Sequence, residues 1–335
     1  MSNYQGIGLR AADAQRFESR AAYSQSTLRA FSARLNKARH PESFAALTIY
    51  AAGSYGRLEA SRHSDIDLFF VLSKPRESFD EIRVPEVRLL SEIIDIGYSM
   101  SFPKFSNDGH FLKFLFLNDI LDNLGSPIDD YQNHFTARML LLLESRPVYG
   151  DAVYKKLLKE TIRTYFRDYE HHPKDFKPTF LINDIIRFWK TLCLNYEHKR
   201  NEAKSRNVIK HKIKNFKLGY SRLMTCFATV AALSTYRKTI SPDEVVGICS
   251  ITPAARLLKI AHANPKVAPK VRDALLLYAW FLQKTALSTP QLEKYFALKK
   301  NRTEAFLHAR KFGDSIYSIL ESLDDENKYM RYLVV

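Results

Sequence analysis

Two apolar runs flank a glycine turn, and the second run carries aspartates at alternate positions. Ala45-Ala46-Leu47-Thr48-Ile49-Tyr50-Ala51 leads into Gly53-Ser54-Tyr55-Gly56-Arg57, and ten residues after Ser54 comes Ser64-Asp65-Ile66-Asp67-Leu68-Phe69-Phe70-Val71-Leu72. A strand alternates its side chains, so a strand over Ile66–Leu72 puts Asp65 and Asp67 on one face and Ile66 and Leu68 on the core face. Two like charges that close repel and favour a cation between them; hard carboxylate oxygens suit Mg²⁺. A glycine-serine turn beside that cation lets backbone N–H groups approach phosphate oxygens. The pattern predicts a strand–turn–strand unit that receives a metal-bound nucleoside triphosphate. The plainer reading is a polar loop, with Asp65 capping a turn and Asp67 facing solvent. Against it, paired acids inside an apolar strand are costly unless something cationic satisfies them.

The rest of the chain sets this unit in an α+β frame. Periodic apolar positions at Leu9, Phe17, Ala21, Leu28, Phe31 and Leu35 predict an amphipathic helix from Leu9 to about Ala38. Ile93-Ile94-Asp95-Ile96-Gly97-Tyr98-Ser99 reads as a third strand. Asp95, 28 residues after Asp67, is then a third carboxylate, with Glu92 its nearest competitor. Beyond Ser106 the pattern predicts helices at about 107–124, 129–145, 151–169, 179–203, 207–236, 252–262, 267–286 and 301–322, with Pro127, Pro147, Pro173 and Pro290 at the joins. The fold expected is a small mixed-sheet head with its N-terminal helix over residues 1–150, followed by a basic, mainly α-helical domain over 151–335. A chain of 335 residues has room for two such domains.

Charge divides in the same place. The net charge is +15, yet residues 1–150 carry 17 Lys+Arg against 18 Asp+Glu, while residues 151–335 carry 34 against 18. That asymmetry points to a polyanionic partner, with a nucleotide triphosphate, an RNA, an acidic protein surface and a merely solvated basic body all open. From Lys199 to Lys217 eight basic residues, Lys204 and Arg206 among them, face the single acid Glu202. Lys210, Lys214 and Lys217 have helix-face spacing, and Lys214, Lys217 and Arg222 are the triphosphate candidates from this half. Trp189 reads as core rather than a stacking platform, and His171-His172 lacks a partner at metal-ligand spacing. No apolar run reaches the length of a membrane span. The start lacks a basic stretch followed by an apolar one. Cys193, Cys226 and Cys249 are too far apart for a Cys-x-x-Cys site and suit a reducing compartment, so a cytoplasmic protein without a membrane partner is expected.

Gly53-Ser54, the Asp65-x-Asp67 pair and a later lone strand carboxylate resemble the nucleotidyltransferase fold of the DNA polymerase β superfamily. The string Gly-Ser-Tyr-Gly-Arg-Leu-Glu, five residues, then Asp-Ile-Asp-Leu is similar to the branch containing the bacterial PII-protein uridylyltransferase. Fainter similarities follow in Ile94–Ser99, in Ala137-Arg138-Met139-Leu140 through Glu144-Ser145-Arg146 to Gly150-Asp151, and in Lys217-Leu218-Gly219 with Arg222. The resemblance spans roughly residues 45–225 and is sharp over 53–68; nothing resembles that enzyme's hydrolase and small-ligand sensor domains. It implies Mg²⁺-dependent transfer of an NMP from an NTP, such as ATP or UTP, to an acceptor hydroxyl on a protein or RNA, with release of pyrophosphate. Asp65, Asp67 and Asp95 would then be the catalytic metal ligands for two Mg²⁺ ions, which Mn²⁺ can replace. Gly53, Ser54 and Arg57 would contact the phosphates, although Arg57 bracing the turn through Glu59 is an equal alternative. Two other readings stay open. One is a catalytically silent nucleotide- or RNA-binding module; the other is a toxin- or defence-type transferase that modifies tRNA.

Overall fold

The structure, a computed structural model, describes residues 4–37, 44–73, 84–105, 112–202 and 208–323. The chain is α+β and divides into two compact units, one of Ser19–Arg167 and one of Met1–Glu18 with Asp168–Val335. The long helix α1 (Ala11–Lys37) carries the change from one to the other along its length.

In the Ser19–Arg167 unit, α1 is followed by β1 (Leu47–Ala52), α2 (Gly53–Gly56), β2 (Asp67–Leu72), α3 (Val84–Ser99), β3 (Phe114–Phe116), α4 (Leu117–Asp122), α5 (Pro127–Tyr131), α6 (His134–Glu144), β4 (Arg146–Tyr149) and α7 (Asp151–Arg163). The sheet order is β3-β2-β1-β4, with β1 antiparallel to β2 and β4, and β2 parallel to β3. Every residue of β1 is buried, as a strand flanked on both edges and covered on both faces requires. Leu28, Phe31 and Leu35 of α1 join Ile49, Ala51, Leu68, Phe70 and Ile93 in one core. The unit ends at Arg167 rather than at the charge boundary near 150. Packing decides this: Tyr154, Leu157 and Leu158 of α7 are buried, and the Tyr154 hydroxyl lies 2.8 Å from Ser145 Oγ.

Three expectations change here. The segment Ile93–Ser99 is not a strand but the second half of α3. Its β-branched residues suggested extension, yet Leu89, Ile93, Ile96 and Gly97 are the buried positions, and that i, i+4, i+7, i+8 spacing belongs to a helix. The third strand is instead β3, within the stretch expected to be helical from 107 to 124, of which 107–111 lie outside the described residues. The fourth strand, β4, went unpredicted because four residues beginning Arg-Pro carry almost no alternation. The crossover from β2 to parallel β3 runs through α3, as parallel pairing demands.

The second unit is helical: α8 (Thr179–Glu202), α9 (Val208–Lys217), α10 (Leu223–Ser234), α11 (Pro242–Cys249), α12 (Pro253–Ala263), α13 (Ala268–Lys284), α14 (Thr289–Ala297) and α15 (Lys299–Leu323). The helix expected over 207–236 is interrupted by one π turn, Leu218–Arg222. The short helices α11 and α14 escaped prediction although both are well capped, by Ser241 with Glu244 and by Ser288 with Gln291, each with an adjoining proline. Tyr220 from the π turn stacks on Phe281 and Phe312, with centroids 4.8 and 4.9 Å away, at the centre of an aromatic core. Cys226 and Cys249 are buried and Cys193 is partly so; all three are free thiols. Trp189 packs edge-on against Phe227. Among the described residues no single helix is long and apolar enough to cross a membrane.

Candidate active site

The β1–β2 ladder pairs Ala52 with Asp67, so the turn that leaves β1 emerges beside the first residue of β2. Gly53 starts that turn with φ +64°, a left-handed conformation that side chains disfavour. A Cβ at Gly53 would meet Asp67 Oδ2 at 2.4 Å. Glycine is therefore required twice, once by the backbone angle and once by the carboxylate lying against its Cα. The alternation read from the sequence holds through both acids. Asp65 and Asp67 are half-buried, whereas Ile66 and Leu68 between and after them are each 3% exposed. Asp65 itself precedes the strand, which begins at Asp67 rather than Ile66.

The turn is clamped from the far side by the end of α6. A Cβ at Gly56 would lie 1.9 Å from the Glu144 carbonyl oxygen and 2.9 Å from that of Ala51, so backbone passes where a side chain would stand. Next to it the buried Arg57 guanidinium donates from Nε to Glu59 Oε2 at 2.8 Å and from Nη1 to Glu144 Oε2 at 2.6 Å. Arg57 thus braces the turn, one of the two expected roles: its Nε and Nη1 are both committed to buried carboxylates. Sequence reasoning foresaw Glu59 but not Glu144, which lies 87 positions from Arg57 and has no local signal.

Helix α1 completes the support. Ser24 Oγ accepts from the Ala60 N–H at 3.0 Å, and Arg20 Nη1 donates to the Glu59 carbonyl at 3.3 Å. Burial lowers the Arg20 pKa, against the pull of Glu59 and Tyr23. The Tyr55 ring is buried under the turn. Its phenol is held well above the usual range, first by burial, then by Tyr23 and the nearby Asp65 charge. Ser54 sits half-buried at the second position, and its carbonyl accepts from the Glu59 N–H at 2.8 Å.

Other expected site residues lie elsewhere. Asp95 is exposed on α3, and the strand adjacency that made it a neighbour of Asp67 is absent; Glu92 is on the same helix. Among the described residues no three His, Cys, Asp or Glu side chains gather as a metal-binding group. Lys214 and Lys217 are exposed on α9, and the half-buried Arg222 ends the π turn, so all three belong to the helical unit; the site described here is built from the sheet unit alone. Lys204 and Arg206 lie outside the described residues.

The donor set at the turn fits one hydrated Mg²⁺, which takes one or two carboxylates plus phosphate oxygens rather than an all-protein cage. A second ion held through Asp95 does not have that carboxylate on the sheet. No protein-family model, curated protein or solved structure matches the chain. The family resemblance therefore rests on the residues from Gly53 to Leu68 themselves.

Proposed function

We propose that this chain is an Mg²⁺-dependent nucleotidyltransferase that moves an NMP from an NTP to an acceptor hydroxyl and releases pyrophosphate. One observation carries the reading: a left-handed glycine turn with an aspartate carboxylate against its Cα, and a second half-buried aspartate two residues before it. A module that only binds nucleotide has no need of paired acids, which repel phosphate in the absence of a cation. Asp65 and Asp67 would hold the ion, which when bound neutralises phosphate charge and supports in-line displacement at the α-phosphorus. The side-chain-free face of Gly53 is taken by the Asp67 carboxylate, so an ion held there would lie beside the turn whose amides would meet the triphosphate. Arg57, through Glu59 and Glu144, keeps those amides in place. The protein's share of the catalysis is then positioning and charge neutralisation.

The test uses each α-labelled NTP with Mg²⁺ or Mn²⁺ and cell extract, followed by separation of protein, RNA and small molecules. Label is expected to enter one acceptor class, and Asp65→Ala/Asp67→Ala to abolish it. Absence of transfer under every condition, or equal transfer by the double variant, overturns the reading.

A further inference from the structure

The sheet face that carries Asp67 is closed over β1 and open at one corner of β2. Side chains alternate along β2, so Asp67, Phe69 and Val71 share a face, and the ladder sets Ala52, Tyr50 and Thr48 of β1 beside them. Of these six residues only Asp67 and Phe69 are half-buried; the others are buried. The β3 side accounts for the opening. The β2–β3 ladder begins with Phe70 opposite Phe114, one position past Phe69, and Lys113, which precedes β3, is exposed. On the β1 side the Phe69 ring stacks on Tyr50, with centroids 5.3 Å apart and planes 7° from parallel. Tyr50 is fixed in turn, because its hydroxyl donates to the Ala137 carbonyl at 3.1 Å. One face of the Phe69 ring is therefore taken from the β1 side, and the opposite face turns toward the side where the ladder has not yet begun.

The position of this ring relative to the carboxylate suggests its use. Residues two apart on a strand are separated by about 6–7 Å, a gap that one ribose spans between an α-phosphate and its base. Leu68, Phe70, Val71 and Leu72 are fully buried, so Phe69 is the one apolar residue of β2 that keeps accessible surface. We propose that Phe69 is the platform on which the base of the NTP stacks, beside the ion held by Asp67. This deepens the nucleotidyl-transfer reading and rests on it. Every base has a π face, so stacking tolerates all of them. Phe69 then favours nucleotides over other triphosphates without choosing among the bases.

The test measures, by calorimetry in Mg²⁺, binding of the full chain to ATP, CTP, GTP and UTP and to inorganic tripolyphosphate, which has the phosphates without a base. Phe69→Leu, which keeps apolar bulk but no ring, is expected to weaken NTP binding by about 5- to 100-fold. Its affinity for tripolyphosphate is expected to stay nearly unchanged. Phe69→Tyr keeps the ring and is expected to bind NTPs like wild type. Thermal melts of both variants check that they fold. NTP affinity that survives Phe69→Leu, equal losses for NTPs and tripolyphosphate, or loss of NTP binding in a folded Phe69→Tyr protein overturns the proposal. Asp65→Asn/Asp67→Asn is expected to weaken NTPs and tripolyphosphate alike. If wild type binds neither ligand, the nucleotidyl-transfer reading falls and the platform with it; if wild type binds both and only the Phe69 comparison fails, the platform falls alone.

Discussion

The two units satisfy their buried arginines differently. In the sheet unit the decisive charges are buried and paired. Arg57 lies between Glu59 and Glu144, and Arg138 forks onto Asp129 at 2.9 and 2.6 Å while also holding Tyr165 Oη and the Ile120 carbonyl. In the helical unit the buried Arg256 donates to neutral acceptors, the Ile248 carbonyl at 2.9 Å and Thr229 Oγ1 at 2.6 Å, while Lys210, Lys214 and Lys217 of α9 are exposed. Buried pairs fix geometry, because removing one partner strands the other in a low-dielectric interior. Exposed charges fix little, but they set a field that salt can screen. Substitutions at the buried pairs of the first unit should therefore cost stability, whereas those at the exposed lysines of α9 should cost little.

The largest effect expected is from Arg57→Met, which leaves Glu59 and Glu144 buried without their shared cation. Urea unfolding should show a loss of about 3–5 kcal/mol, with Glu144→Gln intermediate. A loss below about 1 kcal/mol, typical of surface pairs, would mean that the brace does not set the turn.

Gly53→Ala comes next. The left-handed backbone costs an L-residue about 1–2 kcal/mol, and the added methyl falls on Asp67 Oδ2. Nucleotidyl transfer should fall far more than stability does. Unchanged transfer by a folded Gly53→Ala protein would contradict the role given to that contact.

The smallest effect is a pH dependence. His134, at the start of α6, is buried, and its Nδ1 has no hydrogen-bond partner. Burial lowers its pKa, opposed by Asp119 and Asp129 and assisted by Lys113 and Arg138. Above the ordinary value of about 6.5 both folded and unfolded states hold it neutral. As pH falls below that value the unfolded chain takes up the proton first, so stability declines until the lowered folded pKa is reached. Melting temperature should drop with pH across this window, and His134→Leu should flatten the drop relative to wild type.

Legibility followed the range of the interactions. The segment from Gly53 to Leu68 was readable because a period-two alternation and a glycine turn are local facts, and the β1–β2 register closes them on each other. Asp95 was misplaced because Ile93-Ile94-x-Ile96 satisfies a strand propensity and a helix period at once, and burial chose the helix. Three-residue β3 has too few positions to show any period. The Arg57–Glu144 pair joins residues far apart in sequence, so only the folded chain shows how Arg57 braces the turn. The boundary expected at 150 coincides with the change in charge, whereas packing changes at Arg167.

The central claim is that Asp67, held against Gly53, serves the transfer chemistry. Asp67→Asn keeps the shape of the side chain and removes its charge. Measured by incorporation of label from an α-labelled NTP in Mg²⁺, the account predicts transfer by wild type and a loss of at least about 100-fold in the variant, the scale of removing one preorganised electrostatic contact, with the melting temperature retained. Transfer by Asp67→Asn at the wild-type rate would contradict it.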